Sequence, residues 1–185
     1  SDSHPLGCGV LGRSGTPIAS YFMNEADLLI VIGASFSNHT GITPKKPIIQ
    51  IDFDPMAIAK FHKIDVAVYG EISRTMKLIH ESDQALEINK TDQTAEIAAR
   101  WKIWREEKQV RLIEDRGKGI SSIAVFDTLT ILAPENAVMC VDVGNNAYSF
   151  GRYFESKNQS FLMSGYLGSI GFALPASMGA WAAVG

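Results

Sequence analysis

Three short apolar runs limit what this chain can become: 27–33 (DLLIVIG), 47–53 (PIIQIDF) and 137–143 (AVMCVDV). None alternates apolar with polar residues, so none suits a sheet with one wet face. Strands of this kind are buried on both sides, as in a parallel sheet covered by helices. Helix-like stretches separate the runs and supply the crossovers that parallel strands need. Thr16 and Pro17 suit the N-cap and first turn of a helix over 16–25. Asp54-Pro55 leads into a helix-like stretch at 56–61. A further short run, 67–69, ends at Gly70 and precedes 72–82, where Ile72, Met76 and Ile79 recur at helical spacing.

The pattern then changes. Residues 81–94 turn polar and read as a linker. Residues 95–115 form a charged amphipathic helix carrying Ile97, Trp101, Trp104 and Leu112. The two tryptophans fit either a helix face packed on a neighbour or a ligand-stacking surface. A second α/β pattern follows: a helix to Leu132, the strand 137–143, a helix at 147–154, a short strand at 160–163, a glycine-spaced loop at 164–171 and a helix of small residues at 172–184. That last helix suits close approach of another backbone. The expected organisation is therefore one domain over 1–82, a linker with a bridging helix over 83–118, and the beginning of a second α/β domain over 119–185.

Composition narrows the function classes. With 46% hydrophobic and 20% charged residues, the 185-residue chain has the make-up of a soluble globular protein. A net charge of -3, spread along the sequence, offers no basic stripe for a nucleic acid. No apolar run is long enough to span a membrane, and no signal-like segment opens the sequence. Cys8 and Cys140 stand far apart, outside any Cys-x-x-Cys or Cys/His cluster, which argues for reduced thiols in a cytoplasmic protein. His4, His39, His62 and His80 lack metal-ligand spacing, and no serine has the surroundings of a nucleophile elbow.

Three segments have the chemistry of ligand sites. Asp142-Val143-Gly144-Asn145-Asn146 closes a buried strand with a glycine and two amides before a helix, where free N–H groups face anions. It fits a diphosphate contact, or a helix for which Asn145 or Asn146 is simply the N-cap. In 164–171 three glycines, Gly165, Gly168 and Gly171, let the backbone approach a flat ring, with Ser169 and the apolar wedge of Ile170 between them; a purely structural turn fits equally. Gly12, Arg13 and Gly15 before a helix, with Asp52 and Asp54 after a strand, are the ingredients of a nucleotide site: donors for a pyrophosphate and an acid for a ribose. There is no Gly-x-Gly-x-x-Gly, and Asp54 before Pro55 also suits a turn.

Taken in order, these segments resemble one family. His4-Pro5-Leu6-Gly7, Gly9-x-x-Gly12-x-x-Gly15-Thr16, Ala26-Asp27-Leu28-Leu29 with Gly33, and Ile51-Asp52-x-Asp54-Pro55 are similar to the latter part of the central domain of thiamine diphosphate (ThDP) enzymes of the acetolactate synthase and pyruvate oxidase type. Val141-Asp142-Val143-Gly144-Asn145 and Gly165-x-x-Gly168-Ser169-Ile170-Gly171-Phe172-Ala173-Leu174-Pro175-Ala176 resemble the start of their ThDP-binding C-terminal domain. The resemblance implies an α/β fold with a partial Rossmann-like central domain followed by that second domain. It implies a ThDP- and Mg2+-dependent enzyme that decarboxylates a pyruvate-like 2-oxo acid and transfers the resulting enamine to an acceptor, working as a homodimer or homotetramer. By resemblance, Asn145 lies near the diphosphate, the Gly168 carbonyl and Ile170 N–H hold the aminopyrimidine, and Ile170 enforces the bent cofactor.

The departures from the family bear on activity. The activating glutamate has no counterpart here, and the Gly-Asp-Gly segment and later asparagine of the Mg2+ site are expected beyond Gly185. The chain therefore reads as a fragment, with no catalytic residue or metal ligand of its own, that is inactive alone. Relatives that carry FAD grip it partly with an arginine where this sequence has Ser35, near His39, so FAD stays open. The competing reading is a non-catalytic module for FAD, NAD or ADP, or a decayed enzyme fragment.

Overall fold

A computed structural model describes residues 2–34, 40–43, 45–83, 91–114, 117–165 and 167–184. The chain divides into two units, Tyr21–Asp92 and Ser1–Ser20 with Gln93–Gly185. The elements are α1 (Pro17–Glu25), β1 (Leu29–Ile32), β2 (Ile48–Asp52), β3 (Val66–Tyr69), α2 (Ile72–Asp83), α3 (Thr94–Ile113), α4 (Ser122–Leu132), β4 (Val138–Val141), α5 (Asn145–Tyr153), β5 (Ser160–Met163) and α6 (Ala173–Val184). This is an α/β fold with parallel strands, as the unbroken apolar runs require. Among the described residues no helix is long and apolar enough to cross a membrane.

In the unit Tyr21–Asp92 the strands lie in the order β1-β2-β3, all parallel, with Leu29 opposite Ile48 and Ile49 opposite Val66. The middle strand is the buried one because it alone has neighbours on both edges: Ile48 and Ile51 are each 1% exposed. Val31 and Ile42 join Ile48 in the core, with Leu29 and Ile64 against them. Glu71 starts α2 by accepting hydrogen bonds from the N–H groups of Ser73 and Arg74, which also holds its carboxyl below the usual range.

The helix expected at 56–61 is absent, and the chain makes a series of turns there. Ala59 has φ 58°, a left-handed conformation that interrupts a helix. The buried side chain of Gln50 fixes it there: its amide donates to the carbonyls of Ala34 and Ala57, and its oxygen accepts from the Ala59 N–H. Helical spacing over six residues cannot outweigh a tertiary hydrogen-bonding partner of this kind.

In the other unit β4 and β5 pair in parallel, Val138 opposite Ser160. Val141, Phe150 and Phe154 form the core, covered by Phe126, Leu129, Ala133, Met139 and Ala147. Phe150 stacks on Phe154 at 4.9 Å and meets Phe126 and Phe161 edge-on, arrangements that aromatic quadrupoles favour. Ser121 caps α4 by accepting from the Ala124 N–H, and Thr16 caps α1 by accepting from that of Ala19.

Helix α3 buries Ile97, Trp101, Trp104 and, in the same stripe, Lys108. The tryptophans are packing residues: the Trp101 indole donates to the Gly7 carbonyl at 2.7 Å, and Trp104 stacks on Tyr153. The Lys108 ammonium meets Glu155 at 2.5 Å, with Asp127 at 3.9 Å.

Candidate cofactor-binding site

The two loops that follow β4 and β5 leave the carboxyl ends of neighbouring parallel strands. That is where open α/β sheets bind ligands, because the helix that follows each strand directs its N-terminal N–H groups there. After β4 the chain reaches Gly144, at φ 116° and ψ -159°, a backbone setting that a side chain disfavours. Gly144 is the N-cap of α5 and has no side chain to cap it. The first amides of the helix, at Asn145 and Asn146, therefore have no intrahelical acceptor, and both residues are exposed. Asn145 and Asn146 are the first helical residues rather than the N-cap, so the capping alternative does not account for them.

After β5 the loop turns twice through left-handed glycines, Gly168 at φ 62° and Gly171 at φ 88°. The Ser169 N–H donates to the Ser164 hydroxyl across the turn. Between the glycines Ile170 stands 88% exposed, apolar and pointing away from any core. A Cβ on Gly168 would lie 3.8 Å from the Val143 side chain, so the two loops are in van der Waals reach of each other. The structure thus brings Gly144, Asn145 and Asn146 to one edge together with Gly168, Ser169 and Ile170.

Asp142 joins them. Its carboxylate accepts the Val143 N–H at 2.7 Å and, with both oxygens, the Gly171 N–H at 2.9 and 3.1 Å. The Val143 amide is the foremost reason that this carboxyl sits below the usual range; desolvation opposes it, and the amides of Gly171, Ala173 and Phe172 add to it. The sequence contained the signal, a carboxylate just past the end of a strand and two residues before a glycine. The fold was needed to show that its partner is a loop 29 residues away.

The first-half candidates are used differently. Gly15 is buried, and a Cβ there would come within 2.1 Å of the Val10 carbonyl oxygen. The Arg152 guanidinium of α5 donates to the carbonyls of Arg13 and Gly15. The glycine turn is therefore a packing seat for α5. Gly12 and Arg13 border an open cleft of about 310 Å3 with Trp104, Glu107, Arg111 and Arg152. Asp52 and Asp54 belong to the other unit. Asp52 is buried and accepts the Asp54 N–H; Asp54 accepts that of Met56, the turn role that its place before Pro55 also allowed. Ser35 and His39, on which the FAD question turns, lie outside the described residues.

Residues 1–79 match the family of the thiamine pyrophosphate enzyme central domain. The probable acetolactate synthase large subunit of Methanocaldococcus jannaschii is 32% identical over 97% of this chain and 32% of its own length. That of Methanococcus aeolicus is also 32% identical, over 97% of this chain and 33% of its own length. The large subunit of acetolactate synthase isozyme 2 of Escherichia coli K12 is 28% identical over 96% and 32%. The chain spans about a third of the length of the curated relatives it matches. Over nearly its whole length the chain is therefore similar to acetolactate synthase large subunits, and over its first 79 residues to the central domain of thiamine pyrophosphate enzymes.

Proposed function

We propose that this chain supplies one wall of a ThDP site in an enzyme that decarboxylates a pyruvate-like 2-oxo acid and transfers the remaining two-carbon unit to an acceptor. The observation that carries the reading is the pair of glycine turns at the ends of β4 and β5, tied through Asp142 and Gly171. The donor set fits the cofactor. The α5 amides at Asn145 and Asn146 complement a diphosphate. In this reading the Gly168 carbonyl and Ile170 N–H hold the aminopyrimidine, and the exposed, apolar Ile170 side chain supports its role as the fulcrum of the bent cofactor. ThDP, when bound, supplies the carbon nucleophile and electron sink for the decarboxylation. The chain's own part is to bind, orient and exclude water.

We assign no catalytic residue to this chain. Among the described residues no three His, Cys, Asp or Glu side chains gather into a metal site, and the reading assigns the Mg2+ that accompanies ThDP no ligand here. Leu167, Ile170, Leu174 and Trp181 are all more than 70% exposed, so a cofactor held against this wall alone would remain largely in water. We therefore expect the 185 residues by themselves to bind ThDP weakly and not to turn over, and the working enzyme to be a homo-oligomer that closes the other side.

The test is a ThDP titration of the full-length protein with Mg2+, followed by an assay of carbon dioxide release from pyruvate. Saturable, Mg2+-dependent binding with release supports the proposal. Failure to bind ThDP, with binding of FAD, NAD or ADP instead, would replace it with the nucleotide-module reading.

A further inference from the structure

We propose that Asp142 is a positioning residue that sets the conformation of the 164–171 loop for its ligand, an inference that rests on the ThDP reading above. The described residues of the loop have few other restraints. Leu167 and Ile170 are 81% and 88% exposed, Gly165 and Gly171 have open space where a Cβ would stand, and a Cβ on Gly168 would meet only the Val143 side chain, at 3.8 Å. Within the loop, the described side-chain tether is the Ser164 hydroxyl to the Ser169 N–H. The strong restraint comes from outside, where both Asp142 oxygens take the Gly171 N–H. A bond to a charged acceptor is worth roughly twice a neutral one.

The geometry also explains why a carboxylate serves here. One oxygen accepts from the next residue, Val143, and also from Gly171, whose N–H the second oxygen shares, so the carboxylate is oriented by its own backbone while it holds the loop. Gly171 immediately follows Ile170 and stands two residues before α6, with Phe172 between. Holding its N–H therefore fixes the peptide plane that joins Ile170 to Gly171, which restrains Ile170 on one side and the approach to the helix on the other. Without the tether, two left-handed glycines leave the loop many conformations, and a ligand would have to order it on binding.

The experiment uses the full-length protein with Asp142→Ala, Asp142→Asn and Asp142→Glu. Three quantities are measured: the ThDP dissociation constant with Mg2+, the amide hydrogen exchange of 164–173 without ligand, and the exchange of β4. Asp142→Ala is expected to raise exchange across 164–173, leave β4 protected, and weaken ThDP binding about 10-fold or more, the loss that one to two charge-assisted bonds would give. Asp142→Asn, which keeps one acceptor oxygen and most of the shape, is expected to fall between Asp142→Ala and wild type, and keeps the test valid if the alanine variant does not fold. Asp142→Glu retains the charge with a longer reach and is expected to recover part of the affinity. Unchanged ThDP affinity in the alanine and asparagine variants, while wild type binds, would overturn the positioning role and leave the ThDP reading intact. Exchange that rises equally in β4 would show a general structural role and also overturn it. Absence of ThDP binding in wild type would instead overturn the reading on which the inference rests.

Discussion

Two glycines and one buried ion pair show how far single residues are committed in this chain. Gly15 and Gly151 face carbonyl oxygens: an added Cβ would lie 2.1 Å from that of Val10 and 2.5 Å from that of Ser14. Backbone, not a movable side chain, is in the way. Gly15→Ala or Gly151→Ala should therefore lower stability by about 1–3 kcal/mol, measured by denaturant unfolding. Lys108 is 2% exposed and paired with Glu155, which Arg105 also contacts. Burial works to raise the Glu155 carboxyl, but hydrogen bonds from Arg105 and Lys108, and then their charges, hold it below the usual range. Its folded pKa is thus below its unfolded one, so its stabilisation is complete above the ordinary glutamate range and is lost as pH falls through the folded value. Unfolding free energy followed from neutral to acid pH should show that decline, and Glu155→Gln should flatten it. Glu155→Ala, which leaves Lys108 in the interior with Asp127 at 3.9 Å as its remaining anion, should destabilise the unit by about 3 kcal/mol.

At the level of elements, capping and tertiary hydrogen bonds decide where helices begin and fail. Thr16 accepts from the Ala19 N–H and donates to the Cys8 carbonyl, so Thr16→Ala should cost about 1 kcal/mol and fray the start of α1. Gln50 shows the opposite influence, since it holds the 54–60 turns out of a helix. With Gln50→Leu the Ala59 N–H and the Ala57 carbonyl lose their buried partners, and exchange at Ala59 should rise while β2 stays protected. Such contrasts mark what the sequence discloses. Strands were legible because runs such as LIVI and IIQI are apolar without alternation, and Thr16-Pro17 announced α1. The 56–61 segment was not, because the residue that governs it is a glutamine in a strand. Lys108 was equally hidden: helical periodicity places it on the buried face of α3, but only the fold brings Glu155 to it. At the site, glycine spacing pointed to both loops. Asp142 acquired its role only once β4 and β5 were seen to be neighbours, and the same view turned Gly12, Arg13 and Gly15 toward packing of α5.

For the whole molecule, the division into two units makes the ligand assignment a question of place. The ThDP candidates, Gly144 to Asn146 and Gly168 to Ile170, all fall in the unit containing β4 and β5, whereas Asp52 and Asp54 fall in the unit containing β1 to β3. Ligand binding slows exchange of the amides it contacts or orders, and raises apparent stability by mass action on the state that binds. Hydrogen exchange of the full-length protein with and without ThDP and Mg2+ should therefore show protection at 142–146 and 164–173. The ends of β1, β2 and β3 should keep their ligand-free rates. The loop signal should be the larger of the two, because 164–171 has more freedom to lose than a strand end already paired in a sheet. Protection concentrated after β1 and β2 instead, around Asp52 and Asp54, would move the ligand to the other unit. The glycine turns after β4 and β5 would then be structural, as their sequence alone also permits.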